Sequence, residues 1–289
     1  MRLGILSDIH VDKAQRCDEI DIVRALIDTI NGASIEHFVL AGDVSDDYCT
    51  TLRVLNDIDR DCDPKIWFVP GNHDLWVPED FSGNSLDIYQ KLLEFEGNLG
   101  RGEASLGDGI WMVGDTGWYD YTLSSERFEA AEFDRMEYCG RVWRDRDMVR
   151  FGKTNLELHS WFRSRLSDTI ERLPADSLKI AVTHAVSHPR FSVDDTGLAL
   201  PECDKVLPEE TLSPGVWRYF NAFLGSVEYG EIFERNGVDL AVCGHVHHRE
   251  TARLGDTRFV CQCLGREDEW PKAQSAREAV GSALTVVEL

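Results

Sequence analysis

Three short apolar runs, residues 2–7, 36–41 and 65–69, alternate with two segments of helical period at the start of the chain. In 19–30 the apolar residues Ile20, Val23, Ile27 and Ile30 recur on one stripe, and Asn31-Gly32 stops the run. In 50–58 the stripe is Leu52, Leu55 and Ile58. An opening in the order β-α-β-α-β commits a chain to an α/β fold, with parallel strands joined by right-handed crossovers. Each run ends on a polar group: Asp8-Ile9-His10, then Gly42-Asp43, then Pro70-Gly71-Asn72-His73-Asp74. The carboxyl ends of such strands are where open α/β sheets bind ligands.

The remainder repeats the pattern more loosely. Residues 85–95 read as a helix, and 103–106 and 110–113 flank the hairpin signal Gly107-Asp108-Gly109. Between about 115 and 173 the texture changes: Trp118, Tyr119, Tyr121, Trp143 and Trp161 are interleaved with arginines, and 154–173 carries Leu158, Trp161, Phe162, Leu166 and Ile170 at helical spacing. This stretch is expected to be an insertion lying over the strand ends. A strand at 178–182 leads to His184, and a Pro- and Gly-rich loop is expected over 185–215. Helices follow at 217–224 and 229–236, then a strand at 238–242 that runs into Gly244-His245-Val246-His247-His248. Segments 250–254, 257–264 and 283–288 read as antiparallel strands closing the second half. With no internal repeat or low-complexity linker, 1–289 is expected to be a single domain.

Charge and composition restrict the partners. The 52 acidic and 30 basic residues give a net charge of −22, which repels duplex nucleic acid and anionic bilayers. A small anionic substrate stays possible, because a local metal charge outweighs a diffuse field. No window approaches the ~18 consecutive apolar residues of a membrane span. The apolar run after Met1 is too short for a signal peptide, so a cytoplasmic address is expected. None of the eight cysteines sits in a C-x-x-C pair, and Cys243, Cys261 and Cys263 read as buried thiols.

The polar strand ends form one constellation. In Asp8-Ile9-His10 and His245-Val246-His247 a single residue separates the pair, a spacing that in extended backbone turns both side chains to one face. Carboxylates, imidazoles and one amide, without thiolate, suit borderline divalent ions such as Mn²⁺, Fe²⁺ or Zn²⁺. The candidate ligands Asp8, His10, Asp43, Asn72, His184, His245 and His247 exceed what one ion needs. Two ions are therefore expected, about 3.5–4 Å apart as in two-metal hydrolysis.

Asp8-x-His10, Gly42-Asp43, Gly71-Asn72-His73-Asp74, His184 and Gly244-His245-x-His247 resemble, in order, the signature of calcineurin-like metallophosphoesterases of the bacterial type. The resemblance implies a four-layer α/β/β/α sandwich, here with a mostly helical cap insertion. It implies that Asp8, His10 and His247 hold one ion, that Asn72, His184 and His245 hold the other, and that Asp43 bridges them. Manganese is the first expectation, with iron, zinc or magnesium as alternatives. It further implies a hydroxide shared by the ions as nucleophile and His73 as proton donor to the leaving oxygen, its ring fixed by Asp74 or Asp46. Asp46-Asp47-Tyr48 and Asn72-His73-Asp74 depart from the elements of the protein-phosphatase branch. The implied activity is hydrolysis of a small phosphomonoester or phosphodiester; the alternative is a catalytically silent metal-bound scaffold that presents residues 115–173 to a protein partner. The insertion is not shared by the family. It is read as a wall of the substrate site, with Trp118 or Tyr121 packing on the leaving group and one of Arg141, Arg144 or Arg146 holding a second anionic group. Residues 115–172 carry ten basic and twelve acidic residues, the least acidic large segment. Of the other histidines, His37 is expected to be structural and His159 solvated, with His188 at the rim and His248 outside the metal site.

Overall fold

The computed structural model describes residues 1–124, 128–193 and 216–289. The chain opens with β1 (Arg2–Leu6), α1 (Glu19–Gly32), β2 (His37–Leu40), α2 (Tyr48–Asp61), β3 (Lys65–Phe68) and α3 (Ser85–Leu92). The hairpin β4 (Ala104–Gly107) and β5 (Ile110–Asp115) follows. Next come α4 (Ala130–Phe133), β6 (Glu137–Tyr138), β7 (Arg141–Val142), α5 (Asp145–Met148), α6 (Asn155–Glu171) and β8 (Leu178–Thr183). The chain ends with α7 (Val216–Phe220), α8 (Val227–Arg235), β9 (Leu240–Cys243), β10 (Arg249–Leu254), β11 (Thr257–Gln262), α9 (Ala276–Ala283) and β12 (Thr285–Glu288).

Two sheets form, one of four strands in the order β12-β1-β2-β3 and one of six in the order β10-β11-β9-β8-β5-β4. Alternation along the strands builds the layers. Leu3 and Ile5 of β1, Val39 of β2, and Ala41 and Val69 just beyond β2 and β3 face Met112, Ile180, Val182, Leu240, Val242 and Val260 of the other sheet. The intervening Phe38, Leu40, Ile66 and Phe68 turn outward against Ile22, Leu26, Val54, Leu55 and Val280 of α1, α2 and α9. On the far side, Ala181, Ala241 and Phe259 meet Leu166 and Ile170 of α6 and Tyr229 and Phe233 of α8. The result is helix, sheet, sheet, helix, and a strand period of two is what allows each central strand to serve two apolar layers.

Three expectations change. β12 does not close the second sheet: it pairs antiparallel with β1, Arg2 opposite Glu288, at the edge of the first. The Ala-rich helix α9, capped by Ser275 with Glu278 reaching back, precedes it. The long helix α6 also belongs to the core rather than to a cap. β5 and β8 are parallel neighbours in continuous register from Ile110–Leu178 to Asp115–Thr183, a pairing that needs a crossover, and α6 supplies it. What remains of the expected insertion, between β5 and α6, is about 116–153. Its described helices α4 and α5 have four residues each, and they flank a small hairpin, so it is largely irregular rather than helical. Backbone bonds from Val77 to Met148 (2.8 Å) and from Ser85 to Arg150 (3.1 Å) tie it to the loop after β3 and to the start of α3. Most of the expected loop at 185–215 lies outside the described residues.

No helix among the described residues is long and apolar enough to cross a membrane. Cys243, Cys261 and Cys263 are buried and unbridged.

Candidate metal centre

The ligand-bearing loops leave their strands by an unusual backbone. Asp8, His10, Asp43, His245 and His247 have φ of 53°, 38°, 55°, 75° and 52°. This left-handed region is uncommon for residues with a Cβ and is held only where the surroundings over-determine it. The surroundings here are specific hydrogen bonds: Asp8 N–H to Gly42 O (2.9 Å) and His10 N–H to Asp43 O (3.1 Å), with the His245 N–H donating to the Asp8 carboxylate at 3.0 Å. The extended-backbone reading of Asp8/His10 and His245/His247 is thus corrected. Asp8 and His10, both left-handed, meet in one donor cluster, whereas His245 and His247, also left-handed, enter different ones. Gly42 takes φ 87°, and a Cβ there would stand 2.6 Å from the His184 ring nitrogen.

Two groups of donor atoms converge and share one carboxylate. In the first, His10 Nε2 lies 3.0 Å from His247 Nε2 and 3.7 Å from Asp43 Oδ2, and His247 Nε2 lies 3.4 Å from Asp8 Oδ1. In the second, His184 Nε2 lies 3.0 Å from His245 Nδ1, 3.1 Å from Asn72 Oδ1 and 3.4 Å from Asp43 Oδ2. Ligands about 2.0–2.2 Å from a common ion stand roughly 3.0–3.6 Å apart at ordinary coordination angles. The donor sets therefore fit divalent ions. The outer nitrogens support the same conclusion. His184 Nδ1 is bonded to Ala41 O (2.8 Å), His245 Nε2 to Phe223 O (3.1 Å) and His247 Nδ1 to Glu269 Oε2 (2.8 Å). A proton held there leaves the inward nitrogen a lone pair. His10 Nδ1 is buried without a hydrogen-bond partner.

Burial opposes ionisation of Asp8 and Asp43, but the histidines around them hold both carboxyls well below their usual range. Without an ion the imidazoles divide. Burial works against the His184 charge, yet the Asp43 carboxylate lifts it to about 10, while burial and the neighbouring His184 push His245 down to about 4. Burial and His247 hold His10 well below its ordinary value. The two imidazoles held below their ordinary value, His10 and His245, keep lone pairs available.

His73 stands beside this centre. Its Nδ1 is 2.6 Å from Asp46 Oδ1, and Asp46 pairs in turn with Lys13. Burial would raise the Asp46 carboxyl, but His73 and Lys13 bring it below its usual value. His73 Nε2 faces Asp43 Oδ2 at 3.9 Å, and the indole of Trp76 stacks on the ring at a centroid distance of 3.9 Å. The group that fixes the His73 ring is Asp46. Asp74 faces the other way, collecting the N–H groups of Gly71, Asp43, Val44 and Ser45 and the Thr51 hydroxyl. Burial and the Asp43 charge push its carboxyl up to about 7, so Asp74 shapes the loop that carries Asp43 and does not touch the His73 ring.

The residues assigned to a substrate wall are scattered. Trp118 is 2% exposed, stacks on Tyr119 and Phe162, and donates its Nε1–H to Asn155. Tyr121 is buried, its hydroxyl shared between Asp134 and Asn155. Both are interior to the segment; Trp118 lines a small cavity together with Asn72, His184 and His245, whose described lining does not include Tyr121. Arg146 pairs with Glu137 and Asp147, and Arg141 is exposed on β7. Arg144 places its guanidinium 4.8 Å from the Trp76 ring, and so is linked through that ring to His73. His159, expected to be solvated, is buried between Trp118 O and Glu228, with Asp120 nearby. His37 accepts from the Trp67 indole at 3.1 Å, and His188 caps the turn that starts at Pro189. Sequence reasoning missed Lys13, Trp76, Asp145 and Glu269, none of which stands in a recognisable motif.

Residues 1–249 match the profile of the family described as calcineurin-like phosphoesterase. The chain belongs to that family. Calcineurin-like phosphoesterases are metal-dependent hydrolases of phosphate esters, and the fold and the paired donor clusters agree with that membership. A phosphopantetheinyl hydrolase of Mycobacterium tuberculosis superposes with a TM-score of 0.71 at 19% identity, covering 99% of this chain and 95% of that one. A dimetal phosphatase of Danio rerio superposes with a TM-score of 0.52 at 14% identity, covering 99% and 91%. These likenesses are of fold. No curated protein sequence matches the chain.

Proposed function

We propose that the protein hydrolyses a small phosphate ester at a two-metal centre. One ion is held by Asp8, His10 and His247, the other by Asn72, His184 and His245, and Asp43 is common to both. The observation that carries this reading is the pair of donor clusters sharing the Asp43 carboxylate. When bound, divalent ions, manganese first among them, supply Lewis-acid activation of water and offset charge on the phosphoryl group. His73 presents Nε2 towards the site while Asp46 accepts at Nδ1, so His73 is oriented to give a proton to a leaving oxygen. Of Arg141, Arg144 and Arg146, Arg144 is assigned to a second anionic group, supported by its position over Trp76, the ring that stacks on His73. Residues 1–289 act as one domain, with 116–153 as the wall beside the metals, and the acidic surface disfavours polymeric nucleic acid. A silent scaffold is disfavoured because every position of the site is filled, His73 included.

The test is a Mn²⁺-supplemented panel of mono- and diesters. It includes phosphopantetheinyl esters, because the resemblance to the mycobacterial hydrolase runs the full length of the chain. Metal-dependent turnover of any member supports the reading; none, with two ions bound, favours the scaffold.

A further inference from the structure

We propose that Asp145, carried by α5 in the extra segment, is a positioning residue for the metal centre: it fixes the Asn72 amide with its carbonyl oxygen turned to the ligand cluster. Asn72 Nδ2 donates to Asp145 Oδ1 at 2.9 Å and to Oδ2 at 3.1 Å. That leaves Oδ1 of Asn72 facing His184 Nε2 at 3.1 Å. A side-chain amide can flip its oxygen and nitrogen at little intrinsic cost, and only its partners decide between the two. An ionised carboxylate accepts and never donates, so it selects the orientation in which the nitrogen faces it.

Asp145 is itself held rigidly. It is 3% exposed, and its oxygens accept from the indole N–H of Trp76 (2.7 Å) and of Trp143 (2.8 Å), with the Tyr119 hydroxyl at 3.4 Å. The same two indoles touch the machinery directly. Trp76 stacks on His73, and the Trp143 ring lies 5.6 Å from that of His245. One carboxylate thus connects a metal ligand, the ring over His73 and the ring beside His245. The extra segment completes the centre as well as flanking it.

The inference rests on the two-metal reading, and one set of measurements separates them. Mn²⁺ binding to metal-free protein is followed by calorimetry, with thermal melting of the same samples. For Asp145→Asn the expected result is one ion bound as in the wild type and the other weakened about 10–100-fold, the usual loss when a partner of a metal ligand is removed. In the exchanged double variant, Asn72→Asp with Asp145→Asn, the donor and the acceptor change places. It should bind the weakened ion more tightly than either single variant, a rescue that a merely structural role does not predict. Asp145→Asn with unchanged affinity for both ions, or with equal loss of both, overturns the proposal, as does a double variant no better than the singles. If Asp145→Asn does not fold, the double variant decides, and its failure to fold assigns Asp145 to stability alone. A wild-type stoichiometry of one ion ends the two-metal reading by itself. Asp145 is then judged by whether Asp145→Asn weakens that single ion.

Discussion

Gly71 is the tightest point of the centre. A Cβ on it would fall onto the Asp43 carboxylate and stand 2.5 Å from the Asp43 backbone nitrogen, so the shared ligand or its loop would have to move. Gly71→Ala is therefore expected to lower the affinity for both ions at once, read by metal titration; retention of two tightly bound ions would contradict the placement of Asp43. His73 lies at the opposite extreme. It takes no part in the two donor clusters that share Asp43, and its ring is fixed by Asp46. His73→Ala should keep both ions and cut the rate by about 10²–10⁴ on esters with poor leaving groups, the range that general acid catalysis supplies. The loss should be much smaller for a nitrophenyl ester, whose leaving group needs no proton. Equal losses on both would remove the proton-donor role. The residues that make up the donor clusters were legible from the sequence, because short polar motifs at strand ends are local. The backbone that carries them was not, since five left-handed residues in three loops depend on hydrogen bonds between distant parts of the chain.

Among the elements, the opening three strands and two helices were readable because apolar period and stop signals coincide there. α9 escaped because Ala276, Ala279, Val280 and Ala283 make a weak apolar stripe in a small-residue run. The role of α6 escaped because parallel pairing of β5 with β8 leaves no local trace in either strand. The 116–153 segment was visible as a change of texture, but which of its aromatics face inward was set by packing against Tyr219 of α7 and Phe223 just after it. That packing takes Tyr121 into the interior, while Arg144 stays exposed. Arg144→Ala is expected to raise KM severalfold for a substrate carrying a second anionic group while leaving kcat for a small nitrophenyl ester unchanged, the signature of lost uniform binding. Proportional loss on both substrates would show that Arg144 acts on the centre through Trp76 instead.

At the scale of the molecule, the centre is the seam between the two sheets. β1, β2 and β3 deliver Asp8, His10, Asp43 and Asn72, β8 and β9 deliver His184, His245 and His247, and Ser7 bridges to Cys263 across the join. Ions bound at this seam link elements from both halves of the chain, so they add to the stability of the folded state alone. Each site contributes RT ln(1 + [ion]/Kd), about 4.1 kcal/mol when the free ion is 1,000 times Kd. For a chain of this size 1 kcal/mol moves Tm by about 2–4 °C. Chelation of the wild type should therefore lower Tm by on the order of 10 °C or more, and returning Mn²⁺ should restore it. Asp43→Asn separates this from any general effect of the chelator. The shared ligand loses its charge, both ions weaken together, and most of the chelator-sensitive interval should disappear. A variant that lost only half of the interval would mean that Asp43 serves one ion, and the two sites would then be independent.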